Sequence, residues 1–213
     1  MHTPIFPVFL VFLVFLVLRA GTCLAWEVSN RVIIEHGELV IDHSKSISEI
    51  TQAQAKGGFP AAYGLGLFQN RFRTELEFSR PAPARTANRL NMTTRIKTSP
   101  IIYVAREFPR DSCGYGVVLG HERLHQLYDL EVLRKLPDEI RALTQVIFNE
   151  DELGREGTRN PERLRGRFYQ QVKYAYEGLS NPLHQTIDNP ESYRHLGTQC
   201  NGEIAQRLAG KTP

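Results

Sequence analysis

No polybasic run and no basic stripe interleaved with aromatics occurs in the sequence, so nucleic-acid binding has no footprint here. The balance of 26 Lys and Arg against 23 Asp and Glu gives a formal net charge of +3, too small to dictate a class of partner. Internal repeats and low-complexity segments are absent, which excludes solenoids and propellers. The glycine-rich stretch KGGFPAAYGLGLF lacks the spacing of a nucleotide-binding loop and reads as turn and strand material. Cysteine is scarce, with three in 213 residues. A chain of this length, 41% hydrophobic, can bury a core without a scaffold of disulfides or a structural metal. Any metal it binds is therefore expected to serve function rather than folding.

The one long apolar run lies at the N-terminus, where PVFLVFLVFLVL precedes Arg19 and the small-residue stretch AGTCLA. The run is too short to span a bilayer comfortably, and Ala25 offers a cleavage point ahead of Trp26. Residues 1–25 are accordingly read as a signal peptide, and the protein as secreted or periplasmic. The segment before the run has no Lys or Arg, so an uncleaved leader is the alternative and the only route to membrane association. Lipid modification at Cys23 is a lesser alternative, since Thr22 is an unusual neighbour for that cut. With the leader removed, Cys113 and Cys200 remain in a compartment that permits oxidation. Their single possible bridge would close a long loop, contributing about 4–5 kcal/mol in the chain-entropy model.

The remainder, 26–213, reads as a single α+β domain: an N-terminal antiparallel sheet over 26–108 and a helical part over 109–213. RVIIEHGELVID holds two short apolar runs around His36 and Gly37, the pattern of a hairpin. RTELEFS and LNMTTRI alternate as half-buried strands, separated by the proline-bearing loop RPAPARTAN. SPIIYVAREF is the strongest strand pattern, bounded by Pro100 and by FPRDSCG. From Gly116 to about Lys135 the period becomes helical, and a second helix is predicted from Pro137 to Glu150. A third helix opens at Asn160 and Pro161 through PERLRGRFYQQVKYAYEGL, and the tail reads as a loop with one or two short helices.

Residues 121–125 read HERLH. On a helix, residues four apart share a face, so His121 and His125 can direct ring nitrogens at one ion while Glu122 sits beside it. Two neutral imidazoles to hold a metal and a carboxylate to take a proton from water are the groups that zinc-dependent hydrolysis requires. On a helical wheel the two histidines share an arc with Val117, Val118, Tyr128 and Val132, with Arg123 and Arg134 opposite. The pair is expected to point inward, and Tyr128 to be core.

HERLH resembles the H-E-x-x-H signature of the zincin superfamily of zinc metallopeptidases. The specific match covers these five residues, and the succession of strand and helix over 99–135 is similar as well. The resemblance implies that His121 and His125 are zinc ligands and that Glu122 is the general base. It also implies that the strand before the helix, near Ile102 to Ala105, binds substrate backbone. QLYDLEVL after His125 lacks the glycine and third histidine of the metzincin branch, so the third ligand lies elsewhere.

His184, a neutral imidazole in what reads as a polar loop with Asp188 four residues on, is taken as that ligand. Glu177 and Glu150 are the alternatives, the latter if consecutive helices pack antiparallel. Asp129 lies about 12 Å along the axis from His121; it is expected outside the ligand set, bonded to the His125 ring and fixing its tautomer. Tyr174, Tyr176 and Tyr193 are candidate donors to an oxyanion. His36 and His43 receive no role, and His195 is placed at the surface.

The expected activity is cleavage of peptide bonds in a peptide or protein substrate by zinc-activated water, with Zn2+ as the cofactor. The competing readings are a non-enzymatic envelope protein that binds a partner or a metal, and a zinc amidase acting on cell-wall material.

Overall fold

The structure, a computed structural model, describes residues 27–56, 64–79, 89–149 and 161–210. The proposed leader and cleavage point, the Asn160 cap and Glu150 lie outside them. No helix among the described residues is long and apolar enough to cross a membrane.

The architecture is α+β, as expected, but the sheet is mixed rather than antiparallel. Its central strand is β4 (Arg89–Val104), which merges the separately predicted LNMTTRI and SPIIYV segments. β1 (Glu27–Glu35) and β2 (Val40–Asp42) both pair with β4 in parallel, at 89–97 and 101–103. β3 (Gly66–Ser79) pairs antiparallel along the other edge of β4, from Gly66 opposite Val104 to Ser79 opposite Asn91. The hairpin expected around His36 and Gly37 therefore does not form. β1 and β2 run in tandem along one edge of β4, and Gly37 donates its N–H to the Thr98 carbonyl at 3.0 Å between them.

Pro100 was expected to bound a strand, yet β4 runs through it. The Gly37 bond shows that even-numbered backbone groups of β4 face the β1/β2 edge. The N–H that Pro100 lacks would thus point at the break between those strands, where no ladder partner is lost. The alternation predicted for Leu90, Met92, Thr94 and Ile96 holds, with Leu90 half-buried and the other three buried, and Thr98 continues the buried face.

The sheet-rich part also contains a helix, α1 (Ile47–Lys56), where only strands and turns were expected. Its start carries a reciprocal capping box: Ser46 N–H donates to Glu49 Oε2 at 2.8 Å, and Glu49 N–H to Ser46 Oγ at 3.2 Å. The S-x-x-E spacing was readable, but with one fully buried residue, Ile50, its apolar face is narrow.

α2 (Cys113–Asn149) is one helix of 37 residues rather than two meeting at Pro137. An interior proline costs a helix about 3 kcal/mol. Here Leu133, Leu136 and Ile140 on either side are each at most 2% exposed, and burying three such side chains outweighs that cost at about 1.5–3 kcal/mol each. α2 returns along β4. Near its start Val118 packs with Ile102 to Ala105, Phe108 and Ile50, while Ile140, Ile147 and Phe148 pack with Val28, Met92 and Ile96 at the far end. There Asn30 bridges sheet and helix, donating to Thr144 Oγ1 at 2.8 Å and accepting from Thr94 Oγ1 at 3.1 Å.

α3 (Pro161–Ile187) lies over α2 through Leu164, Phe168 and Val172. It extends beyond Pro182, so His184 sits on a helix rather than in a loop. α4 (Pro190–Thr198), a single 3-10 turn (Cys200–Gly202) and α5 (Glu203–Leu208) complete the chain. Cys113 and Cys200 are joined as predicted, with Cα atoms 5.6 Å apart. Beside the bridge, Glu203 accepts the Gly114 N–H at 2.9 Å and pairs with Arg207, placing a carboxylate at the start of α2 where the helix dipole favours it.

Candidate metal centre

His121 and His125 lie one turn apart on α2, with side chains 9% and 7% exposed. Facing them is Asp188, directly after the last residue of α3. Its position is set from both sides. Its N–H still donates to the His184 carbonyl at 2.9 Å, while Asn189 caps α4 through the N–H groups of Glu191 and Ser192 with Pro190 following.

Three atoms converge. His121 Nε2 and His125 Nε2 are 3.3 Å apart, and each lies 3.2 Å from Asp188 Oδ1. Among the described residues, His121, His125 and Asp188 form a group able to hold a metal ion. Bonds of 2.0–2.1 Å at tetrahedral angles place neighbouring donors about 3.3 Å apart. The triangle matches one face of such a tetrahedron, so these residues fit a zinc ion with a fourth position left over. The side chain of Asp188 is 35% exposed, which puts the open side of the group at that carboxylate.

His184, the expected third ligand, is not part of this triangle. Its Nδ1 lies 2.6 Å from Nδ1 of His125, on the opposite side of that ring from the cluster, and the two rings meet edge to edge and nearly coplanar, with centroids 4.9 Å apart. A separation of 2.6 Å suits a hydrogen bond and is too short for two ligands of one ion. Glu177 lies 3.6 Å from Lys173, with 42% of its side chain exposed, and stays outside the group. Asp188, which takes the third corner of the triangle, is not among the ligands expected from sequence. Its signals were its position four residues after His184, on the same helical face, and its place just before the Asn-Pro start of α4.

Glu122 is 6% exposed and packs against β3. A Cβ at Gly66 would come within 2.6 Å of Glu122 Oε1 and 2.8 Å of Val118 Cγ1, so the absence of a side chain at Gly66 lets the strand pass. Burial pushes the Glu122 carboxyl above its ordinary value, opposed by the two histidines and the Phe68 N–H. Gly66→Ala is expected to displace the carboxylate and lower any activity that depends on it by about 10- to 100-fold, with metal content unchanged, as metal analysis of the variant beside its rate would show.

Burial disfavours the Asp188 anion, but hydrogen bonds from His121, His125 and Tyr193 prevail and hold it well below the usual carboxylate range. Burial disfavours charge on His125 too, yet the Asp188 bond and the nearby Glu122 raise it overall. His184 is lowered by burial and by its proximity to His125.

The tyrosines separate. Tyr193 donates to Asp188 Oδ1 at 2.9 Å, and its ring is 5.9 Å from that of His121. Tyr176 donates to Asp129 instead, and Tyr174 is 61% exposed. Asp129 does not reach the His125 ring. It is buried and accepts from Tyr176 and, at 2.7 Å, from Asn70, tying α3 and β3 to α2. Tyr128, expected in the core, is 38% exposed.

Ile102 to Ala105 cannot take a substrate strand. β4 is paired on both edges at 101–103, and Ile102, Tyr103, Val104 and Ala105 are all buried. Among the described residues no strand pairs with the outer edge of β3, the strand that touches Glu122.

Compared with known proteins, the chain matches no family model, no curated protein and no solved structure.

Proposed function

We propose that this protein is a zinc-dependent hydrolase of peptide bonds, with His121, His125 and Asp188 as ligands and Glu122 as general base. The observation that carries the reading is the triangle of three donor atoms 3.2 to 3.3 Å apart, with a buried carboxylate on the same helix turn. A zinc ion there would supply Lewis acidity and make a water molecule acidic near neutral pH. Glu122 accepts that water's proton as its oxygen attacks the carbonyl carbon. It then delivers the proton to the leaving amine nitrogen as the C–N bond breaks. A carboxyl raised by burial suits both halves of that transfer. The Tyr193 hydroxyl is the nearest candidate donor for negative charge on the carbonyl oxygen. The outer edge of β3, which no strand among the described residues pairs with, offers backbone groups to an extended peptide.

Residues 1–25 are read as a leader that directs the chain to an oxidising compartment, which the Cys113–Cys200 bond supports. A binding protein that holds a metal at the same triangle is the competing reading; it gives Glu122 no reason to be buried beside the ligands.

Elemental analysis of protein purified without added metal or a metal-binding tag is expected to give about one zinc per chain. That zinc should be lost in the His121→Ala, His125→Ala double variant and weakened by Asp188→Ala. A wild-type chain that takes up no zinc from excess metal would end the proposal.

A further inference from the structure

Two pairs of residues, each spaced four apart, face one another across the interface of α2 and α3. His121 and His125 stand on α2, and His184 and Asp188 at the end of α3. Asp188 meets the Nε2 atoms of both α2 histidines, whereas His184 meets only Nδ1 of His125, at 2.6 Å. His125 is thus held at both ring nitrogens, and a neutral imidazole carries one proton for the two.

We propose that His184 is a positioning residue that sets the tautomer of His125, and that metal binding reverses the hydrogen bond between them. This inference rests on the metal site proposed above. Without metal, the His125 proton can sit on Nε2, where Asp188 Oδ1 accepts it at 3.2 Å, while the His184 Nδ1–H donates to His125 Nδ1. A ligand must offer Nε2 as a lone pair. The proton then belongs on Nδ1, and His184 must accept it with its own proton moved to Nε2. Both rings remain neutral throughout, so only the direction of the bond changes. The partner on the far nitrogen of a metal-bound histidine fixes ring orientation and raises ligand basicity. The two rings lie within 20° of coplanar, so the N–H of either Nδ1 points in its ring plane at the lone pair of the other.

The test compares His184→Leu, which removes the acceptor, with His184→Asn, whose Oδ1 can take the place of Nδ1. Zinc affinity is measured by competition with a chelating dye, and the ring nitrogens of His125 are followed by NMR in the wild type with and without zinc. His184→Leu is expected to weaken zinc by about 10- to 100-fold. His184→Asn should stay within about threefold of wild type, and both metal-free variants should melt within a few degrees of it. In the zinc-loaded wild type the His125 proton should be on Nδ1. Equal affinity for wild type and His184→Leu, or equal weakening in both variants, would overturn the proposal. So would a zinc-loaded His125 protonated on Nε2, a readout that needs no variant to fold. A wild type that binds no zinc instead overturns the metal site itself, a distinguishable result.

Discussion

Glu122→Gln is expected to leave about one zinc per chain in place while peptide hydrolysis falls about a thousandfold, within the range a general base contributes. Glutamine keeps the length and packing of glutamate, so the close passage of Gly66, within 2.6 Å by its virtual Cβ, is undisturbed. It cannot accept a proton at neutral pH, and the transfer to the amine loses its carrier. Metal content is the control that separates lost chemistry from a lost site. Unchanged turnover would remove Glu122 from the reaction; loss of zinc would make it part of the ligand shell.

The same substitution carries a second signature in chelated protein. Because burial raises the folded carboxyl above its ordinary 4.5, the wild type keeps its full stability below that value and loses some as pH rises through the folded pKa. Glutamine has no such loss. The melting temperature of metal-free Glu122→Gln should therefore gain on wild type as pH rises above 4.5 and then level off. A constant gap would mean that the carboxyl titrates alike in folded and unfolded chains.

The histidine pair was legible because it is local. Spacing on one helix fixes which residues share a face, and the period of α2 is strong enough to survive Pro137. The third member of the cluster was not legible because it depends on how α2 and α3 are set against one another. A shift of one turn exchanges His184 for Asp188, and sequence chemistry favoured the imidazole. The sheet divides in the same way. Alternation identified the buried face of β4 at Met92, Thr94 and Ile96, but nothing local indicates which strand pairs with which. Two short runs around a glycine fit a hairpin as well as the tandem parallel pairing that β1 and β2 adopt. Which strand keeps an unpaired edge among the described residues followed from that pairing alone, so expectation fell on β4, both of whose edges are paired at 101–103.

Breaking the Cys113–Cys200 bond, by paired serine substitution or by reductant, is expected to lower stability by about 2.5–3.5 kcal/mol. A bridge across 87 residues constrains the unfolded chain by about 4.5 kcal/mol in the chain-entropy model. Against that, Cys200 has φ of 56°, a left-handed conformation that costs about 1–2 kcal/mol and that release of the bond lets relax, whereas Asn201 at φ of 55° is a residue that takes this region readily. The balance corresponds to a fall in melting temperature of about 5–14 °C for a chain of this size. Topology makes the effect reach the proposed metal site. The bond ties the first residue of α2, two turns before His121, to the segment that follows Asp188 and Tyr193, and the Glu203 cap and buried Ile204 hold the same junction. Without the bond the two histidines stay together on their own helix, but Asp188 depends on noncovalent packing for its register. Zinc affinity should therefore fall along with melting temperature in the serine variant, while metal at saturation remains about one per chain. A fall in stability with unchanged affinity would show that α3 and α2 keep their register without the bridge, and that the disulfide supports the fold rather than the site.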